Sequence, residues 1–115
     1  MATQKAKIKE SKLVNDIQAV TLTSDQYSVT VVPHLGAKIT SILNRKTKRE
    51  FLSRTNVEYR RRTYGDDFGD YERDGADECF PTVGGCPYPD YPWQGTDIPD
   101  HGELWSLPWE YETTK

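Results

Sequence analysis

From Ile17 onward, apolar and polar residues alternate every second position, the period of a strand with one covered face. Val20 and Leu22 point one way, and the polar cluster Thr23-Ser24-Asp25-Gln26 then turns the chain. Tyr27, Val29 and Val31 follow on one face, with Ser28 and Thr30 on the other. Two β-branched alternating runs joined by a short polar turn predict a hairpin. Pro33-His34-Leu35-Gly36 interrupts the pattern, since proline removes a ladder donor and glycine permits a sharp turn. Ala37 to Leu43 resumes it, with Ile39, Ser41 and Leu43 expected on one face. A basic turn, Asn44 to Arg49, leads to a short strand at Glu50-Phe51-Leu52. The expectation is an all-β meander of antiparallel strands, for no stretch carries a helical stripe.

On either side of this meander the pattern weakens. Residues 1–16 are polar without a sustained period and predict a flexible N-terminal arm, so that the domain proper spans 17–115. The run Val57 to Tyr64 contains Arg60-Arg61-Arg62. Consecutive strand residues face opposite ways, so it reads as an exposed edge blunted by charge rather than a phosphate clamp.

Composition narrows the class. With 115 residues, 35% of them hydrophobic and 29% charged, the chain is one lightly cored domain at most. Residues 1–62 hold 13 Lys/Arg against 5 Asp/Glu, and residues 63–115 hold 2 against 13. The basic residues are scattered through the apolar alternation with no recognition helix after them, which reads as a solvated sheet face and not a nucleic-acid surface. No apolar run reaches membrane-span length, and the lysine-rich start lacks the apolar core of a signal peptide. Cys79 and Cys86 read as free thiols of a cytoplasmic protein, with Cys79 a small buried hydrophobe.

The second half carries the candidate chemistry. Residues 65–78 crowd carboxylates among glycines but lack the alternating ligand spacing of a calcium loop. Cys79, Cys86 and His101 fit no usual zinc spacing, so no metal is expected. Four of the seven prolines fall between Pro81 and Pro92, in a ring-studded stretch that reads as a long ordered loop. Beyond it, Asp100-His101-Gly102-Glu103 sets an imidazole between carboxylates, with Trp105 and Trp109 downstream. That mixture suits a carbohydrate, whose hydroxyls seek carboxylate and imidazole partners and whose C–H faces lie on aromatic rings.

Gly75-Ala76-Asp77-Glu78-Cys79-Phe80-Pro81 and Pro99-Asp100-His101-Gly102-Glu103-Leu104-Trp105, in that order, resemble the "C-(F/W)-P" and "P-x-H-G" segments of the aldose 1-epimerase (galactose mutarotase-like) family. Tyr27 to Leu43 is similar to that family's opening strands around a Leu-Gly-Ala turn. The resemblance implies part of a galactose mutarotase-like β-supersandwich that interconverts or binds the anomers of an aldose. Acid and base suffice for that chemistry, so no cofactor is implied. It further implies that His101 is the site histidine, contacting the sugar near its ring oxygen. Arg73, Glu78, Glu103 and Trp105 are then the substrate-binding candidates. Asp74-Gly75 in place of two glycines, and Trp105 where relatives often carry an arginine, weigh against a phosphorylated sugar. The family's later general acid and base have no counterpart before Lys115, so a truncated form without mutarotase activity is expected. The alternatives are a non-catalytic carbohydrate-binding module and an interaction protein using its basic half. A small-molecule sugar is the expected partner, together with self-association through exposed sheet edges.

Overall fold

A computed structural model describes residues 5–55 and 58–114. The predicted meander is there, as a five-stranded antiparallel sheet whose spatial order follows the chain. Its strands are β1 (Lys7–Lys12), β2 (Gln18–Thr23), β3 (Tyr27–Val32), β4 (Lys38–Asn44) and β5 (Arg49–Glu50). Local chemistry explains the turns. The Ser24 hydroxyl accepts from the Gln26 and Tyr27 amides at 3.3 and 3.1 Å, closing β2 onto β3. Asn44 Oδ1 does the same for the Lys46 and Thr47 amides between β4 and β5, at 3.0 and 3.1 Å. The fold is all-β, and its helical content is confined to short 3₁₀ turns.

Three expectations change. The stretch 1–16 is not wholly an arm, because Lys7–Lys12 pairs with β2 from Lys7↔Thr23 to Lys12↔Gln18. All six residues of β1 are exposed, so its order comes from the backbone ladder and not from burial. Secondly, Ile39 does not share a face with Ser41 and Leu43. Val31 pairs with Ile39 while Thr30 pairs with Ser41, which leaves Thr40 as the extra residue of a β-bulge. A one-residue slip swaps faces, so Ile39 joins the side of Val31. Thirdly, residues 58–64 form no strand, and Arg62 is buried rather than exposed at an edge. Val57, the first residue of that predicted edge, lies outside the described residues.

The apolar core is small: Ile17, Ala19, Val32 and Leu35, with Leu13 and Tyr59 packed against it. After β5 the chain runs mostly as ordered loop. A 3₁₀ turn spans Phe68–Asp70, and a two-stranded hairpin pairs β6 (Cys86–Pro87) with β7 (Asp97–Ile98). The segment 104–109 docks on the turn after β3 through Gly36 N–H to the Leu107 carbonyl and Trp109 N–H to the Pro33 carbonyl, both 3.0 Å. A Cβ at Gly36 would stand 2.3 Å from the Trp105 carbonyl oxygen, so only glycine allows the approach. Among the described residues, no helix is long and apolar enough to cross a membrane.

Candidate functional site

The loop bearing His101 is held by backbone bonds. His101 N–H reaches the Val83 carbonyl at 2.7 Å, Gly102 N–H the Pro99 carbonyl at 2.9 Å, and Glu103 N–H the Phe80 carbonyl at 2.6 Å. These bonds keep His101 in the left-handed region at φ 66°. For a non-glycine residue that conformation costs about 1 kcal/mol and persists only where the surroundings impose it. At Gly102, φ is +77° and a Cβ would meet the Phe80 carbonyl oxygen at 2.1 Å, so this glycine is obligatory.

The imidazole lies flat on Phe68, centroids 3.5 Å apart and planes 8° from parallel. Its Nδ1 is 3.1 Å from Asp100 Oδ1, and the side chain is 19% exposed. A carboxylate at Nδ1 favours the tautomer with its proton there, leaving an acceptor lone pair on Nε2. Among the described residues nothing hydrogen-bonds to Nε2. Phe68 belongs to the 3₁₀ turn capped by Asp67, which accepts from Gly69 N–H at 2.8 Å. The Arg73 guanidinium lies on the same turn, 3.6 Å from the point a Gly69 Cβ would occupy. Arg73 is exposed and forms no ion pair among the described residues. The structure thus gathers His101, Phe68 and Arg73 around one turn.

The other expected site residues sit differently. Trp105 is 2% exposed and offers no ring face to a ligand. Its indole packs under the site, against Phe68 at 5.3 Å and edge-on to Tyr71 at 5.4 Å, with the Arg62 guanidinium 4.4 Å over the ring. It is a support and not a wall. Glu103 accepts the Tyr88 hydroxyl, and that bond, aided by desolvation and the carboxylate charge, pushes the Tyr88 phenol up to about 12. Glu103 is therefore already engaged. Glu78 is exposed, and its side chain forms no hydrogen bond or ion pair among the described residues. Cys79 is exposed as well, contrary to expectation, and both cysteines are free. Desolvation, and then the carboxylates of Asp77, Glu78 and Asp100, raise the Cys79 thiol, which keeps it in the poorly nucleophilic protonated form near neutrality.

Sequence reasoning missed the ionic network beneath the site. Arg62 bonds Glu72 Oε1 at 2.6 Å, Asp77 Oδ1 at 3.2 Å, and the carbonyls of Trp105 and Leu35 at 2.9 and 3.3 Å. Lys38 joins from β4, 2.9 Å from Asp77 and 3.4 Å from Glu72. The side chains of Lys38, Arg62 and Glu72 are fully buried. The signal for this network was the charge split itself: a basic first half and an acidic second half meet in the interior. Among the described residues, no three His, Cys, Asp or Glu side chains come together in a way that could hold a metal ion. No family model, curated protein or solved structure matches the chain.

Proposed function

We propose that the His101 face binds a sugar, as one wall of an aldose 1-epimerase-like site. The observation that carries this reading is the oriented imidazole: fixed on Phe68, bonded at Nδ1 to Asp100, and unpartnered at Nε2 among the described residues. A neutral Nε2 accepts a hydrogen bond from a sugar hydroxyl, and a protonated one donates to the ring oxygen. Arg73 adds a planar fork of donors across the Phe68 turn. Phe80 and Trp93, 59% and 62% exposed, are rings free to meet a C–H face. Anomer exchange takes one group to remove the anomeric proton and another to protonate the ring oxygen. Here His101 and the Asp100 carboxylate are bonded to each other as one pair on one side of the face, so holding the sugar is the function it supports best.

Titration with galactose and glucose, followed by tryptophan fluorescence, tests the reading. Trp105 lies 6.3 Å from the His101 ring and reports on its surroundings. We expect a saturable change that falls at least about tenfold in affinity in His101→Asn, an exchange that keeps a residue tolerant of positive φ. Optical rotation of fresh α-galactose should relax no faster with the protein than without it. An unchanged fluorescence signal, or equal affinity in the variant, refutes the proposal.

A further inference from the structure

A cavity of about 280 Å³ opens between the sheet and the segment after β5. Leu13, Thr30, Thr40, Arg54, Tyr59 and Asp74 line it, with Thr55 beside them, and none of these belongs to the His101 cluster. We propose that this cavity binds a small primary amine bearing hydroxyl groups, an amino alcohol, with its ammonium on Asp74 and a hydroxyl on Thr40.

The anchor is Asp74, 2% exposed. Its Oδ2 accepts from Thr55 N–H at 2.6 Å and the Thr55 hydroxyl at 2.9 Å. Its Oδ1 receives no hydrogen bond among the described residues. Among the described residues, no cation is paired with it. The buried cations Lys38 and Arg62 are matched by Glu72 and Asp77, so Asp74 is the carboxylate left over. Arg54, at the rim with its side chain 61% exposed, is instead bound to Glu50 at 3.3 Å. A buried carboxylate without a cationic partner is costly, and an ammonium group supplies one.

Thr40 is the second, independent observation. It is 7% exposed, yet its hydroxyl makes no hydrogen bond among the described residues. It is also the extra residue of the β4 bulge, a device that re-aims a side chain from the regular pleat. Here the bulge presents Thr40 to the cavity rather than to a cross-strand neighbour. Thr30, by contrast, is already bonded to Thr21 at 3.0 Å. The half-buried Tyr59 ring, with the Lys38 ammonium 5.8 Å from its centroid, completes the lining.

Serinol (2-amino-1,3-propanediol) and glycerol differ only by ammonium against hydroxyl at the central carbon, and both are titrated by NMR against the whole chain. Serinol should shift the Thr40 and Thr55 amides saturably with a Kd in the millimolar range, about the affinity open to so small a ligand. Glycerol should bind at least about tenfold more weakly, the loss expected for one charge-assisted bond. Asp74→Asn keeps an acceptor for Thr55 and should abolish the preference for serinol. Thr40→Val, isosteric and remote from the Thr55 bonds, should weaken serinol roughly fivefold with the fold unchanged. Equal binding of the two compounds, absence of saturable shifts, or full affinity in both variants overturns the proposal.

Discussion

Replacing Arg62 by methionine removes a fully buried guanidinium while leaving its partners in place. Glu72 would keep only Lys38, 3.4 Å away, and its Oε2 is already without a partner. The Trp105 carbonyl would lose its 2.9 Å donor, and the indole its stacked cation. Breaking one side of a buried ion pair costs about 3–5 kcal/mol, chiefly because a charge is left behind unpaired. Against a typical domain stability of about 5–15 kcal/mol, a loss of about 4 brings a chain with so small a core near its folding limit. With a urea slope of about 1.5 kcal/mol/M, the midpoint should fall by roughly 2.7 M. Urea titration by circular dichroism and tryptophan fluorescence measures it. The informative companion is Arg62→Met with Glu72→Leu, which removes the pair and leaves Lys38 with Asp77 at 2.9 Å. The double variant should be more stable than Arg62→Met alone. A single-variant cost below about 1 kcal/mol, or a double variant as unstable as the sum of the two single ones, refutes the claim that uncompensated charge dominates.

Three further outcomes follow from other parts of the fold. Burial alone would raise the Glu50 carboxyl, but bonds from Ser41, Ile42 and Leu52 outweigh it and hold it below the usual range. Its stabilisation is therefore present above the unfolded value of roughly 4.3 and lost as pH falls through the lower folded value. Glu50→Gln should cost about 1.5 kcal/mol at neutral pH and should flatten this acid-side loss in denaturation measured from neutrality downward. Tyr88, raised to about 12 by Glu103, contributes stability that is full below roughly 10 and lost as pH climbs through its folded value. Tyr59, Tyr71 and Tyr111 are raised as well, so an ultraviolet titration should show several late-ionising tyrosines, with Tyr88→Phe removing one of them and leaving the other three. Gly102→Ala should cost at least about 3 kcal/mol and disperse the His101 loop, whereas Gly65→Ala, at a similar φ of +85° but in open space, should cost about 1 by thermal denaturation. Equal costs would show that the Phe80 carbonyl is not the obstacle.

How much of this was legible beforehand varies along the chain. β2, β3 and β4 fall where two-residue alternation and the polar turns put them, because a strand with one covered face writes its period into the sequence. β1 left no such trace. All its side chains are exposed, and it is ordered by a ladder whose partner lies in β2. The bulge at Thr40 was equally silent, since one extra residue alters pairing without altering composition.

At the candidate site, the sequence alone marked out His101 and its neighbour Asp100, whose hydrogen bond is a local event between adjacent residues. That only glycine fits at 102 came from the structure, where the Phe80 carbonyl crowds the position. Tertiary structure decided the rest. It laid Phe68 flat on the imidazole, buried Trp105 that had read as a wall, and turned Arg62 from a surface charge into the centre of an interior network. Burial of a charge depends on which opposite charges the fold brings within about 4 Å, and Glu72 and Asp77 reach Arg62 and Lys38 only once the loops have closed over the sheet.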